Sequence, residues 1–210
     1  MTVIIPIIPK VPVRLPGRKR TSWRDLTSHL NRKRILFLCQ ELDTEISSNL
    51  ISAMLYLSMQ DYTQDLYLFI NSPGGEIING MAIHNIMRFI PSHINTICLG
   101  IAASMACYVL VGGESKKRAA LPHARIMIHQ PACNFVFPGK DNEDKAGPVY
   151  SELEGIISIR ETITRVYSER TGKPFWMISQ DLERDFYMSA MEAKDYGIVD
   201  RIVDRIKEKS

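Results

Sequence analysis

Ser104 stands where one apolar run, 96–99, gives way to Gly100-Ile101-Ala102-Ala103 and a second apolar segment opens at Met105. A serine at a strand-to-helix turn presents its hydroxyl beside backbone N–H groups that lack an intrahelical partner. The helix dipole puts its positive end there, which suits a nucleophile that must develop an oxyanion next to it. The alternative use of the same residue is a helix N-cap. Gly74-Gly75, after Asn71-Ser72-Pro73, lets the backbone approach a ligand and turn an N–H outward, or makes a plain turn. Gly75 and Met105, the residue after the serine, would together supply a two-donor oxyanion hole. His129, at the end of another apolar run, can take a serine proton, or sit as a satisfied core imidazole. A carboxylate should orient that imidazole, and residue type alone does not choose among 23 acidic residues. Asp185 is attractive because it follows a helical pattern and precedes an apolar turn, a semi-buried place. Its alternative is to cap that turn or to pair with Arg184.

These residues need a scaffold that brings distant positions together. Four short β-like runs occur at 35–39, 66–71, 95–100 and 124–129. Their starts lie about 30 residues apart, the length of a βα unit. The pattern predicts a helix over 44–60, with Ile46, Leu50, Met54 and Leu57 on one face and Asp43 or Thr44 as cap. A second spans 78–90, with Ile78, Ala82, Ile86 and Phe89 on one face and Pro91 ending it. A short one over 104–111 is apolar all round and therefore buried. Alternating strands and helices imply a mostly parallel sheet with right-handed crossovers. In such sheets ligands gather at the carboxyl ends of the strands. That rule would bring 71–75, Ser104 and His129 to one edge.

Beyond His129 the pattern changes. A loop-like stretch, 131–147, carries Phe135, Phe137 and a charged KDNEDK run. A long helix is expected over 149–170, with Glu161 and Arg165 as an i,i+4 pair and Gly172 as its stop. Its apolar positions spread wider than one stripe, which suggests an oligomer contact. Shorter helices are expected after Pro174 and over 191–196.

The composition is that of a globular domain: 210 residues, 45% hydrophobic and 23% charged. The net charge of +3 argues little for a nucleic-acid partner. No apolar run reaches the roughly 20 residues that span a bilayer. Residues 1–24 carry no acid but six bases, Lys10, Arg14, Arg18, Lys19, Arg20 and Arg24, and Pro6, Pro9 and Pro12 interrupt the apolar start. A proline-stiffened extended arm is the expected state. Cys39, Cys98, Cys107 and Cys133 show no CxxC pair or zinc-ligand spacing, so the three in or beside apolar runs read as small buried hydrophobes and no metal is expected. The order Ser, His, Asp differs from that of α/β-hydrolases, chymotrypsin and subtilisin, and no G-x-S-x-G elbow is present.

NSPGG at 71–75, ASM at 103–105, MIHQP at 127–131 and ERD-x-x-MSA-x-EA at 183–193 together resemble the ClpP family, proteolytic subunits of the Clp protease. The likeness runs from about Arg34 to Val203, and DLYLFINSPGG, PHARIMIHQP and RTGKP resemble its plastid-encoded branch. The resemblance implies an α/β, crotonase-like (ClpP-like) fold of repeated ββα units with a protruding handle helix. The protease domain would cover 25–210, with the handle at about 132–170, and 1–24 would be an axial arm. It implies Ser104 as nucleophile, His129 as general base, Asp185 as orienting carboxylate, and Gly75 and Met105 as the oxyanion hole. Tyr67 and Phe69, on one strand face, resemble the aromatic lining where an unfoldase docks; ordinary core packing is their alternative.

The implied partners are ClpP-like subunits in stacked heptameric rings, homomeric or mixed, an AAA+ Clp unfoldase and unfolded protein substrates, with neither nucleic acid nor membrane. No G-x-x-x-x-G-K-[ST] loop is present, so no cofactor is expected on this chain and ATP would be used by the unfoldase. The plastid-like details imply the chloroplast stroma, or otherwise a bacterial cytoplasm. One stretch departs from the family: ACNFVFPGKDNEDKAGP stands where a glycine-rich, peptide-pairing strand is usual. That departure keeps a second class in view, a non-catalytic ring subunit. A crotonase-type acyl-CoA enzyme is a third.

Overall fold

A computed structural model describes residues 9–14, 21–131 and 146–204. Strands β1 (Lys10–Arg14) and β2 (Thr21–Asp25) pair antiparallel, with Pro12 opposite Trp23. The described parts of the arm, 9–14 and 21–24, are thus extended as expected, but paired with each other rather than single. A two-stranded ribbon is all edge, so Pro12 can forgo its missing N–H without breaking a central ladder. The Asp25 side chain accepts from the Ser28 N–H and starts α1 (Leu26–Arg32).

A seven-stranded sheet follows. Strand β3 (Ile35–Leu38) leads into α2 (Thr44–Gln60), whose cap is Asp43, its Oδ1 accepting from the Ile46 N–H at 2.8 Å. The expected stripe is the one used: Leu50, Met54 and Leu57 are buried. Strand β4 (Leu66–Ser72) alternates buried and open side chains and leads through Gly74-Gly75 to α3 (Ile77–Phe89). Here the expected face is only partly used: Ile86 packs against the core and Ala82 is half-buried. Gly80, Ile83, His84 and Met87 face the core, while Ile78 and Phe89 are exposed at 66% and 78%. Two apolar stripes coexist on this helix. Gly80 decides between them, because a Cβ there would lie 2.6 Å from the Met105 side chain, so this side alone can approach the next helix.

Strand β5 (Ile94–Ala103) runs on through the Gly100–Ala103 stretch. Ser104 directly follows it, and then comes α4 (Met105–Val111), buried at every residue as expected. Full burial of Val109, Leu110 and Val111 stabilises the fold by roughly 1.5–3 kcal/mol each. Next come β6 (Arg118–Ala120) and β7 (Arg125–Ile128), then α5 (Ala146–Thr171), α6 (Phe175–Asp181), β8 (Phe186–Ser189), α7 (Ala190–Tyr196) and β9 (Arg201–Ile202). The sheet order is β3-β4-β5-β6-β9, with β7 joined to β5 and β8 to β7. Every pairing is parallel except β7 with β8. Strands β6, β8 and β9 are not expected from the sequence; β6 and β9, at three and two residues, are too short for a period-2 signal.

Arg118 pins this arrangement. Its guanidinium donates to both oxygens of Asp200, at 2.6 and 3.0 Å, and to the carbonyl of Arg170 at the end of α5. Burial pushes the Asp200 carboxyl up, yet the Arg118 hydrogen bonds outweigh it and hold the group below its usual range. Of the cysteines, Cys98 and Cys107 are buried as expected, whereas Cys39, at the end of β3, is exposed. Cys133 and the divergent 132–145 stretch lie outside the described residues. No described helix is long and apolar enough to cross a membrane.

Candidate active site

The parallel sheet delivers three strand ends to one edge. The turn after β4 carries Gly74-Gly75, Ser104 directly follows β5 and His129 directly follows β7. Short bonds lock them together. Ser104 donates its N–H to the Met127 carbonyl at 2.9 Å, and its own carbonyl accepts from Cys107 and Tyr108 at 3.0 and 3.2 Å. Leu42 donates to the Gly74 carbonyl at 2.7 Å, and Glu76 donates to that of Leu42.

Ser104 precedes α4 but its side chain makes no capping bond. Its backbone sits at φ 55° and ψ −126°, a conformation L-residues rarely adopt. Such strain costs about 1–3 kcal/mol and persists only where neighbours over-determine it, as the Met127 and Cys107 bonds do. The conformation swings the hydroxyl out of the cap position. Ser104 Oγ lies 2.8 Å from His129 Nε2, and His129 Nδ1 lies 3.0 Å from Asp185 Oδ1. An ionised carboxylate only accepts, so Nδ1 carries the proton and donates to Asp185. Nε2 is then left as an acceptor, and the Ser104 hydroxyl donates to it. This is the proton arrangement in which an imidazole can act as base toward a serine.

Ser104, His129 and Asp185, residues spread over 81 positions, are therefore brought into one hydrogen-bonded line. Two details differ from expectation. Asp185 precedes a strand, β8, rather than a turn, and its side chain is 60% exposed rather than semi-buried. Antiparallel pairing of β8 with β7, Ile128 opposite Phe186, is what sets Asp185 beside His129. Gln130 donates its N–H to the Leu182 carbonyl at 2.7 Å and closes the same corner. Nor does Asp185 depend on its neighbour: Arg184 instead lies over the Phe186 ring.

Gly74 and Gly75 have φ of 102° and 148°. A Cβ on Gly74 would fall 2.7 Å from the Cβ of Ser104, and one on Gly75 would fall 2.2 Å from the Leu42 carbonyl oxygen. Neither position admits a side chain, so the backbone itself lines the site. The N–H groups of Gly75 and Met105 take part in no hydrogen bond among the described residues, and both residues border a cavity of about 210 Å³ together with Ser104, His129, Ile163 and Tyr167. Tyr108 and Tyr167 lie edge-to-face at 5.9 Å beneath it. Burial pushes the Tyr108 hydroxyl up to about 12, so it stays neutral beside the cavity.

Tyr67 and Phe69 lie on the sheet face away from α4. Tyr67 is 41% exposed, and Phe69 stacks on Phe37 at 5.6 Å. Phe37 joins them because β3 and β4 run in register, Phe37 opposite Phe69. Sequence reasoning missed Phe37, although its place between the inward Leu36 and Leu38 carried the period-2 signal. Among the described residues no group of His, Cys, Asp and Glu could hold a metal ion.

Comparison with known proteins adds an independent line. The family described as Clp protease matches residues 18–206. A "Chloroplastic ATP-dependent Clp protease proteolytic subunit 1" from Arabidopsis thaliana is 56% identical over 195 residues, 93% of this chain and 96% of the relative. Proteins named "ATP-dependent Clp protease proteolytic subunit" from Lobularia maritima and Nicotiana tabacum are 55% and 54% identical over the same shares.

Proposed function

This chain belongs to the Clp protease family, whose ATP-dependent protease it serves as a serine-endopeptidase subunit, and we propose that Ser104, His129 and Asp185 are its catalytic residues. The observation that carries the assignment is the Ser104–His129–Asp185 line at 2.8 and 3.0 Å, with a serine that is strained and uncapped. His129 Nε2 takes the Ser104 proton as Oγ attacks a peptide carbonyl. The bond to the leaving nitrogen then breaks as the imidazolium returns that proton to the amine. Water, activated by the same imidazole, hydrolyses the acyl-enzyme and restores the serine. Asp185 keeps the proton on Nδ1 and stabilises the imidazolium. The N–H groups of Gly75 and Met105 receive the oxyanion in both tetrahedral stages.

The family assembles rings and works with Clp unfoldases. We assign this subunit to stacked heptameric rings, with unfolded chains as substrate and ATP consumed by an AAA+ unfoldase rather than on this chain. The exposed Phe37 and Tyr67, with the half-buried Phe69 stacked on Phe37, supply an apolar face for that unfoldase. A plastid location is supported by the chloroplastic Arabidopsis relative, and we assign the subunit to the stroma.

A fluorophosphonate probe tests the nucleophile. Applied to the assembled complex and mapped by mass spectrometry, it is expected to leave its adduct on Ser104. An unlabelled Ser104 beside a labelled companion subunit would make this a structural ring member.

A further inference from the structure

Between two regular stretches of the β4–β5 ladder the register slips. Ile70 faces Cys98, but Ser72 faces Ala102, so Asn71 alone stands opposite Leu99, Gly100 and Ile101. An irregularity of this kind leaves backbone donors on the longer strand without a partner across the ladder. Here a side chain fills the gap: Asn71 Oδ1 accepts the Ile101 N–H at 3.1 Å. Gly100 makes room for it, since a Cβ there would lie 2.6 Å from that same Oδ1.

The slip sits where β5 changes neighbours. Before it, Thr96–Cys98 pair with β6; after it, Ile101–Ala103 pair with β7. Three residues beyond Ile101 comes Ser104, and four beyond Asn71 comes Gly75. The two strand ends that carry the nucleophile and an oxyanion donor thus leave the ladder from either side of one side-chain bond. We propose that Asn71 is a positioning residue which, with Gly100, sets the offset between Ser104 and the Gly75 N–H. Asn71 does not line the cavity, so it acts through the strands and not on substrate.

This inference rests on Ser104 being the nucleophile, and the test separates the two. In the assembled complex, the rate of fluorophosphonate labelling at Ser104 and the kcat and KM for a fluorogenic peptide are measured for wild type, Asn71→Leu, Asn71→Asp and Gly100→Ala. Misplacing a reacting group by an ångström or less costs roughly 10- to 100-fold, and Asn71→Leu is expected to slow labelling and kcat by that factor. Its KM should stay within about threefold, because uniform binding is untouched. Asn71→Asp keeps an oxygen acceptor and is expected to recover most of the rate. Gly100→Ala displaces the Asn71 oxygen and should reproduce the Asn71→Leu defect, which carries the test if the leucine variant does not assemble. Wild-type labelling rates in Asn71→Leu or Gly100→Ala, or an Asn71→Asp as slow as the leucine, would overturn the positioning role while Ser104 stands. A wild-type Ser104 that takes no label would overturn both.

Discussion

Ser104→Ala is expected to lower this subunit's own peptide hydrolysis by on the order of 10⁶-fold, with the fold and the rings intact. The size of the loss follows from the nucleophile being one atom: without Oγ, His129 has no proton to take and no acyl-enzyme can form. That the fold survives follows from the backbone. Alanine keeps the Cβ and meets the same strain at φ 55°, the Met127 and Cys107 bonds are made by main-chain atoms, and no capping bond is lost. Among the described residues, the only hydrogen bond removed is the 2.8 Å bond to His129. Steady-state cleavage of a fluorogenic peptide by rings built from Ser104→Ala chains alone is the check, with native mass spectrometry reporting assembly. Persistent peptidase activity in such homogeneous rings would rule Ser104 out.

Asp185→Asn is expected to cost roughly 10³-fold in kcat with little change in KM, somewhat less than the about 10⁴-fold known for a buried triad aspartate. An asparagine amide can present a donor to Nδ1, which moves the ring proton to Nε2 and leaves no acceptor for the Ser104 hydroxyl. The discount comes from exposure. With its side chain 60% open to water, Asp185 contributes a screened charge, and tautomer control is the larger part of its role. Stopped-flow or steady-state assay of the purified variant gives the number. A loss below about tenfold would mean that the imidazole is oriented without Asp185.

Much of the site was legible in the sequence because its parts lie at strand ends, and strand ends are marked by composition. Asn71-Ser72-Pro73-Gly74-Gly75 breaks an apolar run with residues that favour turns, and the apolar run before His129 stops at Gln130-Pro131. A parallel sheet then requires those ends to share an edge, and the motif resemblance names the carboxylate. Asp185 shows the limit of composition. Its local setting, after a helical pattern and before an apolar stretch, makes it attractive but does not single it out; the antiparallel β7–β8 pairing places it beside His129. The face used by α3 was partly misread for a similar reason. Ile78, Ala82, Ile86 and Phe89 form as good an apolar stripe as the buried one, and the choice rests on how closely Gly80 lets Met105 approach.

The sequence by itself determined which residue types stand at the ends of β4, β5 and β7, the succession of β3, α2, β4, α3, β5, α4 and β7, and the family to which the chain belongs, because these depend on local composition and on motifs contiguous in the chain. Only the tertiary structure decided that Ser104 is not a helix cap. The Ser104 side chain makes no capping bond, its strained φ is held in part by a bond to Met127 more than twenty residues away, and the glycines at 74 and 75 beside it have neighbours that leave no room for a Cβ. Contacts of this kind come from long-range pairing, and long-range pairing has no signature within any single window of sequence.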